Sequence, residues 1–421
     1  MTAPDQTTAS PRCWRYTPHA WRLSRLLTPR RLDLFLRART AARLPGAQAR
    51  FRAMGIPDDG VRRTLASVRS LAAWPDAWTW TAQRYLGEAR RLAAGGNAFE
   101  AARARRHAAL CYHAAQLLAF DDPKKARALR ASATAIFAQA LPTLMPDARR
   151  VDLPWRNTTL PGYLLLPGTD RPAPLVVLLN GATTAKEETV VWASHLLRHG
   201  LAVLALDWPG TGEAINLAVA ADCDDLTDGV FELAATNLGL DPGRVALVGF
   251  SLGGAVALRG AAFDRRVAAC VAVTSPYDAR DWLSHANVLL FDQLAGLAGG
   301  RDAVGRLAAD FALPEVVPRL RCPLLVLGAG RDLVVPPGEA LRLCAAAGPL
   351  GTLLWYPDGG HGLYDFVSDW TDDVGRWLAV VLDTDQAPIH PSTQVDDAVA
   401  VEPNGRAATN GPLPSARRSA V

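Results

Sequence analysis

Three features of this 421-residue sequence predict an α/β fold: a mostly parallel, doubly wound sheet preceded by a helical domain. From about Val151 onward, short runs that are apolar at every position alternate with helical stretches. Such runs have both faces covered, as strands do in a parallel sheet between layers of helix. Before Val151 the chain is alanine-rich and helical, with short loops, which is the grammar of a bundle. Residues 244–260, RVALVGFSLGGAVALRG, supply the third feature: a buried-strand run, a tight turn and a helix, with a serine at the tip.

Taken in order, residues 1–19 are polar and proline-containing and are expected to be disordered. Residues 20–150 form the predicted helical domain. Its first part, to Arg52, is rich in arginine and interrupted by Pro29 and Pro45. It reads as a helix packed on its own domain with a solvated arginine face; a basic helix meeting a membrane or an acidic partner is the alternative. Trp74, Trp78 and Trp80 form an aromatic cluster placed just before a helix, where Trp74 and Trp78 serve either the core or a pocket. Three helices follow: 80–94, stopped by Gly95-Gly96; 99–120; and one opened by Asp122-Pro123, a cap followed by proline in the first turn, that ends near Pro142. Their spacing is too irregular, and their number too small, for a repeat array.

Residues 151–382 read as the α/β domain. Strands are expected at 163–166, 175–179, 201–206, 245–248, 267–273, 323–327 and 352–356. Helices are expected from Lys186 to His199-Gly200, over 225–238, and after Ser251. An irregular insertion at about 275–320 falls above the strand ends, where a lid would sit. Residues 383–421 are rich in Pro, Asp, Ser and Asn and are expected to be disordered.

Composition excludes several classes. Hydrophobic residues make up 49% and charged residues 20%, ordinary for a chain with a full core, and a net charge of +4 argues for neither nucleic acid nor a membrane surface. No apolar run approaches a membrane span and the N-terminus shows no signal-peptide pattern, so a cytoplasmic location is expected. The six cysteines, Cys13, Cys111, Cys223, Cys270, Cys322 and Cys344, are scattered without metal-ligand spacing and read as free thiols. Neither a metal nor a dissociable cofactor is expected. The partner expected is a small-molecule substrate.

The chemistry centres on Gly249-x-Ser251-x-Gly253. A turn this sharp leaves no room for side chains two positions either side of the serine, and in return the serine projects from the top of the sheet. A serine nucleophile needs a base to take its proton and a third group to orient the base. In this arrangement the chain order is serine, acid, histidine. Asp332 follows the strand at 323–327 and His361 follows the strand at 352–356, both just past carboxyl ends on the serine's side of the sheet. Ser251 is assigned as nucleophile, His361 as general base then acid, and Asp332 as orienter. Asp278 is the serious rival for the acid; His195, His199 and His285 are weaker rivals for the base. An oxyanion needs two amide donors, one from Leu252 and one from Gly181 or Ala182 in the turn after the 175–179 strand. Glu187 and Glu188 read as first-turn helix residues favoured by the dipole.

Two segments carry a resemblance. Leu179-Asn-Gly-Ala-Thr-Thr-Ala-Lys-Glu-Glu188, Asp207-Trp-Pro-Gly-Thr-Gly-Glu213 and Gly249-Phe-Ser-Leu-Gly-Gly254 resemble the FrsA-like α/β hydrolases, a group that includes 2,6-dihydroxypseudooxynicotine hydrolase-like enzymes. Ala109-Leu-Cys-Tyr-His-Ala-Ala-Gln116, with Phe120-Asp-Asp-Pro-Lys124, resembles the helical domain of the same group. The resemblance implies an α/β-hydrolase fold whose N-terminal domain caps the catalytic domain and shapes its pocket. It implies a triad of Ser251, Asp332 and His361, and a homodimer. It further implies a ketone, ester or thioester substrate, with carbon–carbon cleavage beside a ketone in some members, and an accessory acid near the nucleophile, for which Asp278 and Asp281 are candidates. Where relatives often carry Asp-Gly-Pro-Gly-Gln-Gly-Glu, this chain has Trp208 and Thr211, which changes the surface near the sheet top. The same residues would serve acyl transfer or cyclisation. A non-catalytic binding protein on this scaffold would be expected to lack a triad member.

Overall fold

The computed structural model describes residues 47–119, 122–283 and 288–382, with isolated positions 28, 30, 31, 33, 34 and 286. The two tails expected to be disordered, most of the arginine-rich stretch, Cys13 and His285 lie outside the described residues.

Two short helices, α1 (Ala47–Ala53) and α2 (Asp58–Ser67), precede three long ones, α3 (Trp74–Ala94), α4 (Ala98–Gln116) and α5 (Pro123–Leu144). Helix α3 begins at Trp74, six residues before the expected start at residue 80. Pro75 did not mark a boundary because proline lacks only an N–H that the first turn leaves unpaired anyway. Pro142 lies inside the last turn of α5, where it leaves the carbonyl four residues back without its helical donor, and the helix ends two residues later at Leu144. Asp122 caps α5 as expected, accepting the Lys125 N–H at 3.0 Å. The helical core is aromatic. Phe51 packs at 4.5 Å from Trp78 and 5.9 Å from Trp74, ring centre to ring centre, and the Trp74 indole donates to the Ala114 carbonyl at 2.9 Å.

Eight strands form one sheet in the order β1-β2-β4-β3-β5-β6-β7-β8. They are β1 (Arg149–Trp155), β2 (Thr158–Leu165), β3 (Ala173–Leu179), β4 (Ala202–Leu206), β5 (Leu240–Phe250), β6 (Val267–Val273), β7 (Leu324–Ala329) and β8 (Gly351–Tyr356). From β4 to β8 every pairing is parallel, whereas β1 and β2 join antiparallel at one edge. Strand β1 was not expected. Its sequence RRVDLPW is charged and contains proline, tolerable only at an edge, so it lacks the apolar run that marks its neighbours. The interior strands divide their side chains between two cores. Leu175, Val177 and Leu179 face one and Val176 and Leu178 the other, where Phe137 and Leu141 of α5 also pack. The helical domain therefore closes directly onto one face of the sheet.

Connecting helices are α6 (Lys186–Thr189), α7 (Ala193–Leu197), α8 (Leu226–Thr236), α9 (Leu252–Phe263), α10 (Val288–Ala298), α11 (Val304–Asp310), α12 (Gly338–Ala347) and α13 (Val367–Val381). The single helix expected from Lys186 to residue 199 is in fact α6 and α7 joined by a tight 3-10 turn, Val190–Trp192. Helices α10 and α11 belong to the insertion expected at 275–320. No helix among the described residues is long and apolar enough to cross a membrane. The five described cysteines are free, and four are buried.

Candidate active site

Ser251 stands between β5 and α9 with φ 51° and ψ −121°, a backbone conformation that costs a non-glycine residue energy. Surrounding contacts enforce it. A Cβ on Gly249 would lie 2.2 Å from the Gly253 carbonyl oxygen, and one on Gly253 would lie 2.2 Å from the carbonyl oxygen of Asn180 on the neighbouring turn. The Ser251 N–H is tied to the Val273 carbonyl at 2.9 Å. Leu252, the first residue of α9, has an N–H with no partner inside the helix, since the first turn offers no carbonyl to receive it.

Asp332 and His361 come together as the strand ends bring them. Asp332 is buried, and its Oδ1 accepts the N–H groups of Val334 and Val335 at 2.7 and 2.9 Å. That leaves Oδ2 to receive His361 Nδ1 at 2.8 Å. The imidazole is thereby held with Nδ1 protonated and Nε2 free to take a proton. His361 opens a strained turn in which Gly362 and Leu363 both have positive φ, at 73° and 52°. The turn is pinned by Thr274, whose hydroxyl accepts the Gly362 N–H at 3.1 Å. Thr274 itself has φ 46°. Three of the four described non-glycine residues at positive φ are therefore Ser251, Thr274 and Leu363, gathered at one place.

Ser251 and His361 open into one cavity of about 770 Å³ between the helical domain, the sheet top and the insertion. Its walls are mainly apolar, with Phe51, Trp74 and Leu117 from the helical domain and Leu290, Leu294 and Leu297 from α10. Trp74 thus serves both the core and a pocket, while Trp78 is wholly buried. No hydrogen bond joins Ser251 to His361 among the described residues, and contacts of this kind commonly tighten only when substrate enters.

Gly181 and Ala182 also line the cavity, and a Cβ on Gly181 would lie 3.4 Å from that of Ser251. The turn that carries them is braced by several hydrogen bonds. The Asn180 carbonyl accepts the Trp208 indole N–H at 2.6 Å, so Trp208 props the turn from beneath. The Gly181 carbonyl accepts from Thr184 N, Thr184 Oγ1 and Asn180 Nδ2, each at 3.1 Å.

The other sequence candidates are engaged elsewhere. Asp278 binds its neighbour Arg280 through both oxygens, at 2.7 and 2.6 Å, and Asp281 pairs with Arg342 at 2.8 Å; neither lines the cavity. His195 and His199 contact Arg198 and Asp372 and do not line it either.

Glu187 and Glu188, expected to be dipole-favoured and no more, are fully buried members of an ionic network that joins the helical domain to the sheet. Glu187 receives Arg130 of α5 at 2.5 Å and Lys186 at 2.8 Å. Burial opposes its charge, but these two cations outweigh burial and hold its carboxyl well below the usual range. Glu188 receives Arg50 of α1 at 3.0 Å and His113 Nε2 of α4 at 3.0 Å. No local pattern marks the pairings to Arg130, His113 and Arg50, whose partners lie 57 to 138 residues apart.

His113 adds a pH dependence. Its Nδ1 lies 2.5 Å from an Arg130 nitrogen, and arginine can only donate, so Nδ1 is the acceptor and Nε2 carries the proton given to Glu188. Burial holds the imidazole neutral, lowering its pKa from the ordinary 6.5. Burial likewise lowers His107 to about 3 and His195 to about 4. A group whose folded pKa is depressed binds fewer protons folded than unfolded. Its contribution is intact above pH 6.5 and is lost as the pH falls toward the folded value, by up to about 1.4 kcal/mol per pH unit for each such group. Urea unfolding midpoints should fall steadily on acidification below pH 6.5, and His113→Gln should flatten the slope. A midpoint that stays level down to pH 5 would contradict this.

The parallel sheet with its antiparallel edge, the strained serine at the strand-to-helix turn and the histidine past the last strand define an α/β hydrolase. The chain belongs to the FrsA-like esterase family: the family model described as "Esterase FrsA-like" matches residues 58–290, more than half of its length. Among curated proteins it is 33% identical over 199 residues to the 2,6-dihydropseudooxynicotine hydrolase of Paenarthrobacter nicotinovorans, a match covering 47% of this chain and 54% of that one. It is 31% identical over 288 residues to the hydrolase ffsE of Aspergillus flavipes, covering 53% of this chain and 63% of that one. The chain thus spans less than two thirds of either relative. Among solved structures, that of 2,6-dihydroxy-pseudo-oxynicotine hydrolase superposes with a TM-score of 0.71 at 25% identity, covering 81% of this chain and 97% of that one.

Proposed function

We propose that the chain is a serine hydrolase working through an acyl-enzyme on a ketone, ester or thioester substrate with a bulky apolar, aromatic or polyketide-like body. The observation that carries the reading is the strained Ser251 sharing one apolar cavity with a His361 whose Nδ1 is held by Asp332. In this mechanism Ser251 Oγ attacks the substrate carbonyl carbon as His361 Nε2 takes its proton. The oxyanion is held by the Leu252 N–H and, of the two other amides open from the sequence, that of Ala182. The Gly181 carbonyl is drawn into its turn by three donors, and in a trans peptide the Ala182 N–H points the opposite way. Collapse breaks the bond to the leaving group, which takes the proton from His361. Water, deprotonated by His361, then releases the acid from Ser251.

The family resemblance and the relative named as a 2,6-dihydropseudooxynicotine hydrolase favour carbon–carbon cleavage beside a ketone. The leaving group is then a carbanion, so the substrate must itself supply an electron sink such as a 1,3-diketone or a phenol. The cavity volume of about 770 Å³ accommodates a body of that size. With Asp278 and Asp281 paired to arginines outside the cavity, the proton delivered to carbon comes in this reading from His361 rather than from an accessory acid.

A fluorophosphonate probe, which reacts with activated serine hydroxyls, should label Ser251 and leave the His361→Ala variant unlabelled. A panel of aryl esters, thioesters and β-diketones, with products identified by mass, then separates hydrolysis from acyl transfer or cyclisation. Folded protein that never labels at Ser251, even with small probes, would sink the hydrolase reading in favour of a binding protein.

A further inference from the structure

We infer that Arg50, from the helical domain, is a positioning residue for the oxyanion-binding turn and the histidine loop, so that the helical domain completes the catalytic apparatus as well as covering it. The inference rests on the hydrolase reading above. Arg50 lies in α1, 133 residues before Thr183, yet its guanidinium makes four hydrogen bonds to the segment that follows β3. Nη1 donates to Thr183 Oγ1 at 3.2 Å, and Nη2 to the Thr183 carbonyl at 3.0 Å. Nε and Nη2 hold the two oxygens of Glu188 at 3.2 and 3.0 Å. Thr183 directly follows Gly181-Ala182, which line the cavity beside Ser251, and Glu188 lies in the short helix α6 that ends the turn.

The same guanidinium lies 5.7 Å from the ring centre of Tyr364, three residues beyond His361. One planar cation therefore touches the donor turn on one side and the loop bearing the histidine on the other. Arginine suits this place, since its fork engages a carboxylate bidentately while its remaining N–H groups reach a carbonyl and a hydroxyl. Arg50 adds to the local hydrogen bonds that already hold each flank. The histidine loop is strained at Gly362 and Leu363, and the Ala182 amide must hold its aim within a fraction of an ångström to serve an oxyanion. The Glu188 side of the clamp is itself fixed by His113, so the brace is anchored in the buried network rather than in solvent.

The test uses full-length protein, with p-nitrophenyl acetate as a substrate too small to need the cavity walls, and the rate of fluorophosphonate labelling. Arg50→Met alone strands Glu188 and risks misfolding. Arg50→Met combined with Glu188→Gln removes the clamp without leaving a buried charge, and Thr183→Val removes one of its contacts. In the folded double variant kcat should fall about 10- to 100-fold with KM within about threefold of wild type, the labelling rate should fall in parallel, and Thr183→Val should lie between. Added methylguanidinium should restore part of the lost rate in Arg50→Ala protein that circular dichroism shows to be folded before the addition, which a role in folding alone would not predict. A folded double variant that turns over at the wild-type rate, or whose loss lies in KM alone, overturns the inference while the hydrolase reading stands. A wild-type chain that neither labels nor turns over the acetate overturns that reading, and this inference with it.

Discussion

Ser251→Ala and His361→Ala should each lower kcat by roughly a million-fold, and the double variant should lose no more than either alone. Residues that act as one unit do not contribute additively. Without the hydroxyl there is nothing to activate, and without the imidazole the hydroxyl keeps its proton. What remains is the turn bearing the amide donors and the cavity that orients substrate. Asp332→Asn should be milder, at about ten-thousand-fold, because it keeps the shape and loses the preferred tautomer. The structure explains why that substitution bites. Two backbone N–H groups, of Val334 and Val335, already hold Oδ1, and His361 Nδ1–H needs an acceptor at the other position. An amide held by those donors through its oxygen presents NH2 to the imidazole and turns the ring's proton toward Nε2. The measurement is kcat on the best ester of the panel, with far-ultraviolet circular dichroism as a control for folding. A His361→Ala variant that retains a tenth of the wild-type rate would remove the histidine from the mechanism.

The largest expected effect on stability is that of Lys186→Met, about 3–5 kcal/mol. The Lys186 ammonium is fully buried and reaches Glu187 at 2.8 Å, Asp207 at 3.1 Å and Glu213 at 2.7 Å. Burial opposes its charge, yet the carboxylates around it, Asp207 foremost, keep it protonated across the physiological range. Methionine fills much the same volume but leaves Glu187 and Asp207 buried, with Glu187 still paired to Arg130. The pH dependence separates this cause from simple mispacking. In the wild type, Glu187 is held below its ordinary value of 4.5, so its contribution is present above that value and is lost as the pH falls through the folded pKa. In the variant the stranded carboxylates prefer protonation, so their folded values rise and the penalty shrinks on acidification. Urea unfolding at pH 7.5 and pH 5 should therefore show the difference between wild type and Lys186→Met narrowing toward the acid side. A difference independent of pH would assign the loss to packing instead.

Much of the site was legible from the chain alone because its chemistry is local. A serine on so sharp a strand-to-helix turn demands glycine at 249 and 253, where a Cβ would strike a carbonyl oxygen at 2.2 Å, and those glycines are visible as a pattern. Asp332 and His361 were legible because each follows an apolar run in the right order, and parallel strands deliver their carboxyl ends to one side of the sheet. The resemblance to the FrsA-like group was legible for the same reason, since its marks are contiguous segments.

What the chain alone obscured was of another kind. Strand β1 is charged and edge-placed, so nothing in its composition separates it from a loop until β2 pairs with it. Glu187 and Glu188 carry an ordinary first-turn signature, and Arg50 sits among arginines that read as a solvated face. Asp278 stood as the rival to Asp332 until each found its partner, Arg280 for one and His361 for the other. Backbone sterics and strand polarity act over a few residues, so the layered fold, the elbow and the order of the candidate groups could be read along the chain. Tertiary packing alone settled which acid meets the histidine and which charges are buried. It also decided that an arginine 133 residues away braces the turn beside the serine. The strength of an ion pair depends on burial and approach in space, and neither quantity is written in the spacing of residues along the chain.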